Sequence, residues 1–361
     1  MSTEVWLTDA AGLRRADTLD RPIGAPGAQG SVWQLCEARD LVAKVLHRAD
    51  PVPLAARIRA MIEAPMDWSV RAGSAGVAWP VAALSRRDDD RLLGYAAPKL
   101  APPDFAPLPW LLNPLVRARM LPGSTWDWWL SLAEDLARTV HLVHRYGHVI
   151  GDLAPANLFV TASGRVRIID ADGWQVHVAR TGEDLPCPFS RPEYTAPEEL
   201  NGDGGRRAPE SDGWALASVI AQLLCLGFHP FGGVPVGSDG PVSELDNVAQ
   251  RRSWLLGADL RMPLAAPPPT VLPSLVRRRL EEAFDAGYDD PYRRPQPLDW
   301  AAVLAHTRRG VVTCATRSTH VYTPGPAGCP WCAIAARGAR DPFPLELDRS
   351  ELDRATRRSR R

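Results

Sequence analysis

The stretch Val149-Ile150-Gly151-Asp152-Leu153-Ala154-Pro155-Ala156-Asn157-Leu158-Phe159-Val160, followed by Ile168-Ile169-Asp170-Ala171-Asp172, decides how this chain reads. Asp152 and Asn157 stand five residues apart, and Asp170 follows thirteen residues after Asn157. A lone aspartate in a loop is usually a turn residue. Three polar groups at these offsets, each framed by apolar runs, are poorly explained as turns. Residues 157–169 read as two short strands around the turn Ala162-Ser163-Gly164. Two such strands, buried, would hold the three polar groups near one point.

Thr125 to Tyr146 reads as a helix, with Trp129, Leu132, Leu136, Val140 and Val143 three or four apart and Gly147 closing it. Residues 211–226 are apolar nearly all round, which predicts a centrally buried helix. More helices follow to about Arg308. On the N-terminal side, Ala101 to Gly123 is rich in proline and leucine and reads as a crossing between lobes. Pro51 to Ala64 has a helical period at Leu54, Ile58, Met61 and Ile62. Residues 4–47 alternate apolar runs with turn residues, as strands do. Residues 76–82 and 91–96 read as a strand pair across the charged loop Arg86 to Asp90. Strands first and helices afterwards predict an α+β class, with a small β-rich lobe before a larger helical one.

The 361 residues suffice for two lobes plus an appendage, and a 45% apolar content suits a globular chain. A formal net charge of zero offers no bulk attraction to nucleic acid or anionic membrane. No run of about 18 uninterrupted apolar residues is present, so no membrane span is expected. Met1 to Asp20 carries four acids and lacks the apolar core of a signal peptide, so a cytoplasmic location is expected.

Phosphoryl transfer from ATP needs a cover over the phosphates, a cation to hold them, groups for Mg²⁺ and a carboxylate facing the incoming hydroxyl. The chain offers each in order. Gly27 and Gly30, with Val32 beyond, lie in a turn between strands. They read either as a phosphate-covering loop or as an ordinary hairpin turn. Lys44, in the apolar strand Leu41 to Leu46, either snorkels from an edge or points into a cleft. Only Lys44 and Lys99 are lysines among the 42 basic residues, which favours a specific need for a compact ammonium at Lys44. Asp152 would orient or accept the substrate proton, and Asn157 and Asp170 would hold Mg²⁺.

These residues resemble the protein kinase family over about residues 20–308. Tyr194-Thr195-Ala196-Pro197-Glu198 is similar to its Ala-Pro-Glu motif, and Ser211-Asp212-Gly213-Trp214 to the start of its central helix. Arg294 is similar to the arginine that pairs with the motif's glutamate. The resemblance implies a bilobal fold with a nucleotide cleft, residues 1–100 and 101–309 forming the lobes. It implies a hinge near Ala96 to Leu100 that brings Ala97 to the nucleotide, and transfer to Ser/Thr of a protein substrate. The Gly-Asp-Leu, Ile-Asp-Ala-Asp and Cys-Pro-Trp-Cys runs are similar to a bacterial branch of eukaryotic-like (Hanks-type) kinases. That branch carries a C-terminal zinc knuckle and is associated with von Willebrand A domain proteins and PP2C-type phosphatases.

Four positions depart from the family pattern. Gly151 replaces the arginine that reads a phosphorylated activation loop, so activity without that phosphorylation is expected. Ala154 replaces a lysine, and Ala156 offers no substitute; the missing cation could come from Arg191. Asp172 either adds metal affinity or satisfies a turn. Glu63, the one glutamate on the predicted helix, is either the partner acid of Lys44 or an exposed helix end.

Cys314, His320, Cys329 and Cys332 give Cys-x₅-His-x₈-Cys-x₂-Cys, a donor set that suits tetrahedral Zn²⁺ with no open position. Unligated surface residues are the alternative. Residues 310–336 would form this knuckle, with zinc binding coupled to folding, and 337–361 a charged, disordered tail. A pseudokinase scaffold, from Ala154 and Ala156, and a small-molecule phosphotransferase are the rival functions; Tyr194 to Glu198 and Asp212 argue against the second.

Overall fold

The computed structural model describes residues 3–344, except 28, 48–50, 67–75, 187–190, 201–205 and 239, and omits the side chains of 51–54. Its architecture is mixed α+β, with strands dominating before residue 100 and helices after it.

Six strands close into a barrel: β1 (Thr3–Thr8), β2 (Arg14–Pro22), β3 (Gly30–Leu35), β4 (Leu41–Leu46), and, beyond helix α1 (Pro51–Glu63) and the two-residue β5 (Gly76–Val77), β6 (Ala82–Arg86) and β7 (Leu92–Pro98). Closure comes from β1, which pairs antiparallel with both β2 and β6. Alternation supplies the filling: Val5, Leu7, Leu19, Leu35, Ala43, Leu84 and Ala96 meet inside. Helix α1 lays Ile58 and Ile62 on Tyr95 and Ala97 from the outside.

The expected strand pair is shifted. β6 and β7 turn over between Arg86 and Arg91, and Gly76–Val77 pairs parallel with Val166–Ile168 in the helical part. Ala82 and Leu84 alternate into the barrel, which fixes that register. Residues 101–123 are also more than a crossing. They hold a two-residue strand and two short helices, and Leu108, Leu111, Leu115 and Arg117 are buried.

The larger core gathers around α2 (Trp126–Arg145) and α3 (Pro209–Leu224). Every residue of α3 from Ser211 onward is buried, as expected of a helix apolar nearly all round. Helix α4 (Pro297–Arg309) packs along α2. The expected strands on either side of Ala162-Ser163-Gly164 form at Leu158–Val160 and Val166–Ile168. Among the described residues, no helix is long and apolar enough to cross a membrane.

The C-terminal segment is docked on this core. A strand pair, Val312–Thr313 with Val321–Tyr322, and helix α5 (Pro330–Ala336) place Trp331, Ile334 and Phe343 in the same cluster as Trp126. Trp331 lies 6.0 Å from Trp126 and donates Nε1–H to Val321 O at 2.7 Å. The boundary of the expected disordered tail moves accordingly: residues 337–344 carry the buried Phe343, whose ring and neighbouring Pro342 carbonyl receive the Arg117 guanidinium. The remainder of that tail, 345–361, lies outside the described residues.

Candidate active site and metal centre

The loop at 149–157 is held from below by one carboxylate. Asp212, 1% exposed at the start of α3, accepts from Ile150 N–H at 2.7 Å and Gly151 N–H at 2.8 Å, and lies 2.9 Å from His144 Nε2. Gly151 takes φ 69°, a conformation that an arginine at that position would adopt only with strain. The Asn157 amide then donates Nδ2–H to Asp152 O at 2.8 Å and to Asp152 Oδ2 at 2.9 Å. Ile169 N–H donates to Asn157 O at 2.9 Å, which places Asp170 alongside. Asp170 itself sits at φ 62°, a strained setting for a residue with a Cβ. Spacing thus brought Asp152, Asn157 and Asp170 into one cluster.

Lys44 reaches this cluster from β4. It is 7% exposed, and Nζ donates to Asp172 Oδ1 at 2.7 Å, Asp170 Oδ1 at 3.0 Å and Gln29 Oε1 at 3.4 Å. The cleft placement therefore holds over the edge placement. Burial alone would lower the lysine pKa, but Asp172 and then Asp170 outweigh it and raise it. Tyr95 O–H donates to the same Asp172 oxygen at 2.6 Å; burial first, then these carboxylates, push the phenol well above its usual range.

Glu63 is not brought to Lys44. It is exposed at the C-terminal end of α1, while the carboxylates on Lys44 belong to Asp170 and Asp172. Asp172 is also more than a turn residue: it is 5% exposed and serves as the buried counter-ion of Lys44. The signal available in sequence was an acid two residues after Asp170, where the family pattern has glycine.

The glycine turn divides in two. Gly27 is exposed at the tip, with its N–H on Gly30 O at 2.8 Å. Gly30 has a reason within the sheet, because a Cβ there would stand 2.4 Å from Val45 O on the adjacent strand. Val32 pairs with Lys44 across β3 and β4, and Ala97 lies opposite Val42. The Ala97 side chain packs with Ile58 and Ile62.

Arg191 closes on Asp152 and Asn157. Its Nε–H lies 3.2 and 3.3 Å from the two Asp152 oxygens, and an NH2 donor reaches Asn157 Oδ1 at 3.1 Å. Ala154 is 1% exposed and supplies no charge. The segment between Asp170 and Glu198 is pinned at several points. Arg57 on α1 donates to Trp174 O and Pro186 O, and Asp184 receives His177 and Arg206. Glu198 and Arg294 form a two-bond ion pair at 2.6 Å each, with Arg294 only 3% exposed. Asn157 Oδ1 and the Asp170 oxygen not facing Lys44 are hard donors of the type Mg²⁺ takes, and the Ile169 N–H bond to Asn157 O brings their backbones together.

The second cluster lies in the C-terminal segment. The ligand atoms of Cys314, His320, Cys329 and Cys332 all fall within 4.8 Å of one another. Cys314 Sγ is 3.7 Å from Cys332 Sγ, and His320 Nδ1 is 3.5 and 3.3 Å from Cys329 and Cys332 Sγ. Tetrahedral zinc, with ligands at about 2.0–2.3 Å, sets its donors roughly this far apart. The residues therefore fit the ion. Sequence spacing did not reveal the outer partner: His320 is fully buried, and its Nε2 lies 2.9 Å from Asp341 Oδ1, leaving Nδ1 toward the sulfurs.

No protein-family model matches the chain. It is similar to the protein kinase YegI of Escherichia coli strain K12, with 29% identity over 329 residues that cover 89% of this chain and 49% of YegI. YegI of strain O157:H7 is similar at 28% over 318 residues, covering 86% of this chain and 48% of that protein. The DNA damage-responsive serine/threonine-protein kinase RqkA of Deinococcus radiodurans matches at 34% over 146 residues, 35% of this chain and 21% of RqkA. The chain spans about half the length of the YegI proteins it matches. Homology to YegI and to other bacterial and eukaryotic kinases, together with the cluster around Asp152, supports a protein kinase.

Proposed function

We propose that this chain is an ATP- and Mg²⁺-dependent protein kinase that transfers the γ-phosphoryl group to a Ser or Thr hydroxyl. The observation that carries the reading is the convergence of Lys44, Asp170, Asn157 and Asp152 through contacts of 2.9–3.0 Å, from segments up to 126 residues apart. A divalent cation held by Asn157 and Asp170 would neutralise the phosphates. Lys44 holds phosphate oxygens with a buried ammonium. Asp152, oriented by the Asn157 amide, faces the incoming hydroxyl and takes its proton. The segment that leads to Glu198 is anchored by Arg57, Arg206 and Arg294 without a phosphate, which supports activity without phosphorylation of that segment. The Cys/His cluster is assigned to a structural zinc ion.

A pseudokinase is the second reading, favoured by the buried Ala154 and by Arg191 lying across Asp152 and Asn157. Radiolabelled ATP separates the two. The wild type should label itself or a protein substrate, and Asp152→Asn should lower the rate by about 10²–10⁴-fold. Folded wild-type protein that labels neither itself nor generic or neighbouring proteins would overturn the kinase reading.

A further inference from the structure

We infer that Arg191 is the cation that receives the transferring phosphoryl group, in place of the lysine that Ala154 lacks. The inference rests on the kinase reading above. Lys44, on the Asp170 and Asp172 side, is assigned above to the phosphates of the nucleotide, and the Arg207 guanidinium donates to Gly151 O, so neither has a contact with Asp152, where the hydroxyl would stand. Ala154 is buried and uncharged. Arg191 bridges the proposed base, Asp152, and the metal-facing oxygen of Asn157, between which the phosphoryl group must pass. Its side chain is 41% exposed, and its remaining donors have no partner among the described residues.

The planar fork makes the exchange possible. A guanidinium can keep Nε–H on Asp152 while its terminal N–H groups turn to phosphoryl oxygens, which a single ammonium cannot do. When the nucleotide enters, Arg191 releases Asn157 Oδ1, which frees that oxygen for the metal. During transfer the bond from the γ-phosphorus to the β–γ bridging oxygen breaks, and ADP leaves with the electron pair. The bond from phosphorus to the substrate oxygen forms, and the hydroxyl proton passes to Asp152. Arg191 gives up no proton and forms no covalent bond; it stabilises charge on the equatorial oxygens.

The test measures binding of ADP and of a non-hydrolysable ATP analogue, both with Mg²⁺, beside kcat, for the full chain and for Arg191→Ala and Arg191→Gln. The wild type should prefer the ATP analogue. Both variants should lose that preference, keep their ADP affinity within about twofold, keep their melting temperature, and lose about 10²-fold in kcat. Unchanged kcat in a folded variant would overturn the assignment. So would equal weakening toward both nucleotides, since a general role in ordering the segment would not distinguish them. Wild type that binds neither nucleotide sinks the kinase reading and this inference together; wild type that transfers phosphate, with variants that match it, sinks this inference alone.

Discussion

The cleft and the Cys/His cluster solve opposite problems with similar numbers of polar groups. In the cleft every charged group already has a protein partner: Lys44 has Asp170 and Asp172, and Asp152 has Arg191. On the kinase reading proposed above, these partners would be traded when substrate arrives, so the site would work through contacts that can be exchanged. In the C-terminal segment three sulfurs and one imidazole nitrogen face one another, and the further partner, Asp341, stands behind the histidine. On the zinc assignment proposed above, that cluster would hold one ion without exchange. The difference also decides what spacing can show. Ligands within 19 residues are legible as a motif, whereas Lys44 and Asp172 lie 128 residues apart and meet only through the fold.

The sharpest way to break this contrast is to remove the ion from the holding site. Chelation, or Cys329→Ser, should leave Trp331, Ile334 and Phe343 without their anchor on the helical core. Three buried apolar side chains at about 1.5–3 kcal/mol each predict a loss on the order of 5 kcal/mol. Denaturant unfolding checks the loss, and metal analysis should find about one zinc per wild-type chain and none in the variant. Wild type without zinc and a variant of equal stability would show that the cluster holds nothing. Phosphoryl transfer well below the unfolding transition should persist, because the ligands are distant in role from Asp152.

The next effect belongs to the exchanging site. Asp172→Asn removes one of two carboxylates from a buried ammonium, and should lower transfer by about 10²-fold. Glu63→Gln alters an exposed helix end and should stay within about twofold. Equal losses in the two variants, or the reverse order, would restore the helix glutamate as the partner of Lys44. This pair marks where sequence reading ran out. The strands beside Asn157, the buried run from Ser211 and the Glu198–Arg294 pair followed from periodicity and motif. The barrel did not, because closure depends on β1 finding two partners, and the alternation of Val5 and Leu7 fits an open sheet equally well. The Asp172 counter-ion did not either, since an acid near Asp170 serves a turn, a metal or a lysine with the same letters. Docking of Trp331 on Trp126 was hidden for a similar reason: the sequence shows an aromatic residue, not the surface it covers.

The smallest effect tests whether the holding site depends on more than its four ligands. Asp341 lies 2.9 Å from His320 Nε2, accepts from Phe343 N–H at 2.8 Å, and pairs with Arg317. A carboxylate on the far nitrogen fixes the imidazole tautomer and strengthens Nδ1 as a donor. Asp341→Asn should therefore weaken zinc by about 10-fold, and Asp341→Ala by up to about 100-fold, measured by competition with a chromophoric chelator. Arg317→Ala is the control. It removes a half-exposed ion pair of small worth and leaves the imidazole contact intact, so zinc affinity should not change. If Arg317→Ala weakens zinc as much as Asp341→Asn, Asp341 acts through the charge of the segment. If only the Asp341 variants weaken it, the histidine is held in place by its outer carboxylate, and the cluster comprises five residues, only four of which could be counted from their spacing.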